Sequence, residues 1–182
     1  MGTRSGSAAV GHLKDRVRDV PDFPRPGVAF KDITPLLGDA SAFAAAVGAL
    51  ADHFAGEVVD KVLGIEARGF IPAGAVADRL GAGFVPVRKA GKLPWQVEAE
   101  GYVLEYGADC LEIHQDALVP GERVVIVDDV LATGGTAAAA VRLAQRLGAT
   151  VVGLGFIVEL AFLGGRGRLA GLDAISLVSY EA

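Results

Sequence analysis

The chain is predicted to be an α/β protein with a mainly parallel central sheet flanked by helices. Short β-branched, apolar runs at 61–65, 84–87, 123–127, 151–158 and 174–178 alternate with stretches of helical length, two of which close on a glycine (Gly81 and Gly148). That alternation is the signature of strands joined by helical crossovers. The chain has 182 residues, 52% of them hydrophobic, which suffices for one core and leaves little room for a second domain. In sheets of this kind ligands sit beyond the carboxyl ends of the strands, so the strand exits are where chemistry is expected.

Residues 1–11 are small and polar without an apolar centre and are expected to be a disordered leader; residues 12–182 are expected to form a single domain. A short helix is predicted over 12–20, halted by Pro21. Residues 23–35, rich in proline, are predicted to be an ordered arm. Asp39 is placed to cap an alanine-rich helix reaching about Phe54. A strand over 61–65 leads to a helix over 69–80, with Gly81 just past its end, and then to a strand over 84–87. Residues 88–101 show neither period. Residues 103–106 and 110–113 flank Gly107-Ala108-Asp109, a hairpin signal. A strand over 123–127, a helix over 136–147 and strands over 151–158 and 174–178 complete the list.

Bulk properties exclude several functions. The formal net charge of -5 argues against nonspecific binding of nucleic acid. The longest apolar stretch, 151–163, contains Glu159 and is too short to span a membrane. The one cysteine, Cys110, cannot form an internal disulfide and fits a reducing, cytoplasmic compartment. His12, His53 and His114 show no metal-ligand spacing and read as structural, as does Cys110.

The richest segment is VVIVDDVLATGGT, residues 124–136. A buried strand ending at Asp128 and Asp129 is expected to pass through a short loop into a helix at Thr136. Backbone N–H groups of Thr133, Gly134, Gly135 and Thr136 can converge at such a helix start, where the dipole adds partial positive charge; the turn is a phosphate cradle. Two carboxylates beside a phosphate site make sense if the ligand also offers hydroxyls. Ribose 2′- and 3′-OH groups would donate to Asp128 and Asp129, each charge-assisted bond contributing roughly 1.5–3 kcal/mol. For the acids alone, a capping pair before a tight turn is the competing reading. No G-x-x-x-x-G-K-[ST] and no strand-borne G-x-G-x-x-G occurs, so neither a P-loop nor a dinucleotide fold is supported.

This segment resembles the phosphoribosyl-pyrophosphate signature of type I phosphoribosyltransferases. FPRPGVAFKDITPLL (23–37), GIEARGF (64–70), VPVRKAGKLP (85–94) and LEYGADCLEIHQDAL (104–118) resemble, in the same order, the adenine phosphoribosyltransferases. The resemblance implies the type I phosphoribosyltransferase fold, with a small N-terminal base-binding hood and a flexible lid hairpin. It implies transfer of ribose 5-phosphate from phosphoribosyl pyrophosphate to adenine, giving AMP and pyrophosphate. It also implies Mg²⁺ carried mainly by substrate oxygens and water, with no dedicated protein metal site, and a homodimer.

Residue roles follow from the match. Asp128 and Asp129 would hold the ribose, and Ala132, Thr133, Gly134, Gly135 and Thr136 the 5-phosphate. Glu66, Ala67 and Arg68, at a second strand-to-helix exit, would meet the pyrophosphate together with Arg88, Lys89 and Lys92 of a closing loop; the resemblance places a non-trans peptide near Ala67. Glu105 would be catalytic, accepting the adenine N9 proton or stabilising the ribose cation, and Tyr106 would close with the lid. Trp95 reads as an aromatic that packs within the lid. Ala29 and Lys31 would read adenine edges through their backbone while Phe30 stacks on the ring. Two alternatives stay open: transfer to orotate or a 6-oxopurine, disfavoured by the 23–30 segment, and a regulator on the same fold, for which no basic face or DNA-binding extension is visible.

Overall fold

The computed structural model describes residues 12–104 and 107–181; the expected leader over 1–11 lies outside them, as do Glu105 and Tyr106. The N-terminal segment departs from the prediction. Where a helix over 12–20 was expected, one 3-10 turn forms at Lys14–Arg16, Val17 adopts an extended conformation, and β1 (Arg18–Val20) pairs antiparallel with β2 (Phe30–Asp32). The pairing supplies hydrogen bonds that a helix stopped by Pro21 could not complete. The proline-rich arm thus carries one strand of a two-stranded ribbon.

A short α1 (Thr34–Gly38) follows, its start held by Asp32, which accepts the Thr34 N–H at 2.9 Å. Asp39 caps α2 (Ala40–Phe54) as expected, accepting the N–H groups of Ser41 and Ala42, each at 3.0 Å. Next come β3 (Lys61–Ile65), α3 (Phe70–Leu80) and β4 (Gly83–Lys89). Gly81 ends α3 in the left-handed conformation.

The hairpin is longer than the sequence suggested. Its arms are β5 (Val97–Leu104) and β6 (Gly107–His114), and Leu104 pairs with Gly107. Gly107, Ala108 and Asp109, expected as the turn, therefore belong to the second arm. Asp109 is satisfied there without reversing the backbone: its carboxylate accepts the Cys110 N–H at 2.8 Å and the Tyr102 hydroxyl at 3.1 Å.

β7 (Arg123–Leu131) also outruns its prediction, so Asp128 and Asp129 lie within the strand and not at its end. Asp128 stays in register with Phe156, and Val130 with Val158, on the neighbouring strand. That strand, β8 (Thr150–Leu160), follows α4 (Gly135–Arg146). Two 3-10 turns, Ala161–Leu163 and Gly165–Leu169, lead into β9 (Asp173–Tyr180).

Among the described residues the main sheet has seven strands in the order β5-β6-β4-β3-β7-β8-β9. β4, β3, β7, β8 and β9 run parallel; the hairpin joins antiparallel, through β6 on β4. Both faces are covered. Along β7, Val124 and Ile126 pack with Ala140 and Leu143 of α4, whereas Val125 and Val127 pack with Leu50 of α2 and Val76 of α3. Burying each such side chain stabilises the fold by about 1.5–3 kcal/mol. A third cluster, with Leu13, Ile33 and Leu36 against Ile157 and Val178, seats the N-terminal segment on the far side of the sheet. The exits of β3 and β7, which are adjacent and parallel, consequently open on the same edge. Among the described residues no helix is long and apolar enough to cross a membrane.

Candidate active site

The exit of β7 forms the floor of the site. Asp128 and Asp129 are 9% and 7% exposed. Burial, and then the neighbouring Asp129 carboxylate, push Asp128 well above the ordinary carboxylate range. Asp128 Oδ1 accepts the Asp129 N–H at 2.8 Å. Asp129 Oδ2 lies 2.6 Å from Arg68 Nε, but the N–H does not point along that line, and the oxygen is buried without a hydrogen bond. A carboxylate held in this way has acceptor capacity to give to a ligand.

Beyond the acids, Gly134 takes φ +77 and contributes no capping group to α4, so the amide groups of the first turn are left to a ligand. The helix begins at Gly135, one residue earlier than predicted. Alanines 137, 139 and 140 are buried and bring α4 close to the sheet.

The exit of β3 stands against this floor: a Cβ on Gly69 would sit 2.5 Å from Asp128 Oδ1. The Glu66–Ala67 peptide is cis. The Glu66 N–H donates to Val87 O at 2.9 Å, so Glu66 cannot meet the pyrophosphate through its backbone; the backbone N–H groups of Ala67 and Arg68 remain. The Glu66 side chain has a different task. Its carboxylate, 7% exposed, accepts Arg88 Nε at 3.1 Å, the Lys89 N–H at 3.1 Å, and Lys92 Nζ. Burial alone would raise its pKa, but the donors from Lys92, Arg88 and Lys89 outweigh that and hold it at about 2. Glu66 thereby gathers Arg88 and Lys92, and the Lys92 backbone carbonyl also accepts Arg88 Nη1 at 3.1 Å. Lys89 points its ammonium elsewhere, to Asp109 Oδ2 at 3.1 Å.

The N-terminal ribbon closes the third side. The Phe30 ring meets Phe23 edge-on at 5.1 Å, and the Arg68 guanidinium carbon lies 4.7 Å from the Phe30 ring centre. One arginine therefore links the expected base-stacking ring to the expected ribose acid. The Lys31 side chain turns away, pairing with Asp19 and lying 3.9 Å over the Tyr180 ring, which leaves its backbone as the part able to face a ligand. Ala29 is exposed beside it.

The structure thus brings together Phe30, Glu66, Arg68, Arg88, Lys92, Asp128, Asp129 and the 132–136 turn. Glu105 and Tyr106 fall outside the described residues. Trp95 is 64% exposed and does not pack within the lid as expected. The sequence reading missed Tyr102, buried on β5; its pKa is raised by burial, and its hydroxyl donates to Asp109 Oδ2 at 3.1 Å. Among the described residues no cluster of three or more His, Cys, Asp or Glu side chains is gathered to hold a metal.

A paired-acid strand, a glycine turn at a helix start and a cation cluster at the adjacent strand exit together define the phosphoribosyltransferase class. Residues 37–167 match the family model for the phosphoribosyl transferase domain. The adenine phosphoribosyltransferase of Solibacter usitatus is 59% identical over 169 residues, covering 93% of this chain and 98% of that protein. A crystal structure of the enzyme of the same name from Rhodothermus marinus superimposes with a TM-score of 0.92 at 52% identity, covering 96% of this chain and 99% of that one. The Saccharomyces cerevisiae enzyme, complexed with adenine among other ligands, gives 0.88 at 38% identity, covering 94% and 99%. The chain belongs to the adenine phosphoribosyltransferase family.

Proposed function

We propose that this protein transfers ribose 5-phosphate from phosphoribosyl pyrophosphate to N9 of adenine, forming AMP and releasing pyrophosphate. The observation that carries this reading is the span of Arg68 from the Phe30 ring to Asp129, because it places an aromatic platform and a sugar-binding acid one guanidinium apart. Adenine stacks on Phe30 while the backbone at Ala29 and Lys31 meets its N6 and N1 edge. Asp128 and Asp129 accept the ribose hydroxyls, and residues 132–136 cradle the 5-phosphate. The C1′–O bond to pyrophosphate breaks as the N9–C1′ bond forms. The departing charge is met by Arg88, Lys92 and the backbone N–H groups of Ala67 and Arg68, with Lys89 able to join once it leaves Asp109. Glu105, on the short link between β5 and β6, takes the N9 proton or faces the ribose cation; Tyr106 closes beside it.

The donor set fits Mg²⁺, a hard cation that keeps several waters and takes carboxylate and phosphate oxygens. Asp129, whose Oδ2 has the Arg68 ion pair but no hydrogen bond, would face it once Arg68 yields, and the ion would neutralise pyrophosphate charge. The protein acts as one domain from residue 12 onward, in a homodimer, in the cytoplasm; the lone Cys110 suits that compartment.

Pyrophosphate release in a screen of adenine, hypoxanthine, guanine and orotate tests the reading. A backbone carbonyl facing N6 repels the O6 of hypoxanthine, and an N–H facing N1 meets a protonated nitrogen. Two such mismatches correspond to a preference for adenine of roughly 10²-fold or more. Phe30→Ala should slow adenine use yet keep that preference, because the reading groups are peptide atoms. Equal use of hypoxanthine refutes both the backbone reading and the choice of base.

A further inference from the structure

An ion pair that the reaction does not use stands behind the phosphate turn. Arg166, in the 3-10 turn Gly165–Leu169, donates from Nε to Glu159 Oε1 at 2.9 Å and from Nη2 to Glu159 Oε2. Its Nη1 donates to Ala174 O at 2.5 Å and its Nη2 to Ser176 Oγ at 3.1 Å. Glu159, at the end of β8, has a side chain only 8% exposed, while Ala174 and Ser176 lie on β9. Arg166 holds the Glu159 carboxyl below its ordinary range. The guanidinium fork thus pins the 3-10 turn to the last two strands of the sheet.

The residue before Arg166 touches the site. A Cβ on Gly165 would overlap Ala132 O and stand 2.8 Å from Gly134 N; a Cβ on Gly134 would overlap Gly165 O and stand 3.1 Å from Gly165 Cα. The two backbones meet face to face with no room for a side chain. Packed interiors transmit such contacts rather than absorb them. An apolar pair could stabilise the fold equally well, whereas a bidentate fork adds a fixed direction.

We propose that Glu159 and Arg166 are positioning residues for catalysis: they seat Gly165 against Ala132 and Gly134 and so keep the N–H groups of the phosphate turn aimed at the 5-phosphate. This rests on reading residues 132–136 as the 5-phosphate site. The pair touches no substrate. Its loss loosens the cradle while leaving the base platform of Phe30 and the Glu66 cation cluster in place.

Arg166→Gln and Arg166→Lys in the full-length protein test it, with melting temperature, AMP affinity by calorimetry, and kcat and KM for each substrate. Arg166→Gln should weaken AMP and raise the KM for phosphoribosyl pyrophosphate by about 10–10²-fold, the scale of a small misplacement in a site, with the KM for adenine within about twofold. Arg166→Lys keeps the charge without the fork and should fall between. A merely structural pair would lower the melting temperature and leave the two KM values alike. A folded Arg166→Gln enzyme with wild-type AMP affinity overturns the proposal. If that variant does not fold, Arg166→Lys decides by the same split, and unchanged AMP affinity there overturns it equally. Thr133→Ala separates the two layers. Weaker AMP binding in Thr133→Ala beside unaffected Arg166 variants removes the clamp alone, whereas unaffected binding in Thr133→Ala removes the phosphate assignment beneath it.

Discussion

Arg68 Nε and Asp129 Oδ2 stand 2.6 Å apart, and the same guanidinium lies against the Phe30 ring. A protein cation thus covers both the acid proposed to take the ribose and the face proposed to take the base. Behind Arg68, burial and the Asp129 carboxylate together push Asp128 toward its protonated form.

That arrangement trades stability for binding. Asp128 has a folded-state pKa well above its ordinary 3.8. The native state holds a proton that the unfolded state releases, so stability falls as pH rises from about that ordinary value through the raised one. Asp128→Asn removes this loss. The variant should match wild type at acid pH and be the more stable of the two at neutral pH, while losing affinity for phosphoribosyl pyrophosphate. Melting curves across pH, paired with calorimetry, check both halves; unchanged substrate affinity in the Asp128→Asn, Asp129→Asn double variant would remove the ribose assignment.

Glu66 titrates in the opposite sense. Its pKa is held at about 2 against an ordinary 4.5, so its stabilisation is present above 4.5 and lost as pH falls toward 2. Arg88 and Lys92 are 33% and 48% exposed, and solvent screening leaves a contribution of about 1 kcal/mol. Glu66→Gln should flatten this acid-side dependence. An unaltered slope between pH 4.5 and 2 would show that the cations do not depend on Glu66.

Lys92 is expected to act on the leaving group. Lys92→Ala should lower turnover and pyrophosphate affinity by more than it weakens AMP, which carries no pyrophosphate. Equal losses for AMP and pyrophosphate would rule out the contact.

Glu105 should matter in the transition state and little in the ground state. Glu105→Gln keeps the shape and removes the charge, so kcat should fall about 10²–10⁴-fold with little change in KM. Wild-type turnover in steady-state assays of that variant would end its catalytic role.

How far the sequence could be read depended on whether the deciding interaction was local. β3 and the cap of α2 were legible because an apolar β-branched run and an Asp before an alanine stretch carry their own reasons. β7 was cut short at Asp128 because two carboxylates look like a strand exit; the in-register partner on β8 that carries the strand onward is invisible to a local reading. The helix expected over 12–20 failed similarly, the pairing partner of residues 18–20 lying on the far side of Pro21. The residues of the candidate site stand in separate sequence motifs. Their meeting was not legible: Arg68 on Phe30 and Asp129, and Glu66 beneath Arg88 and Lys92, join segments far apart in sequence and depend on which strands lie side by side.

Among the described residues, no strand pairing joins the β1–β2 ribbon to the seven-stranded sheet. Leu13 and Ile33, which flank the ribbon, seat it by side-chain packing, so its backbone can be lengthened, shortened or exchanged without unzipping the ladder that carries Asp128 and Asp129. On the proposed assignments, ring preference would reside in a detachable cassette, and the handling of sugar and phosphate in the chassis. Divergence in the first leaves the second intact, and a grafted ribbon is the natural unit for redesigning which heterocycle this scaffold accepts.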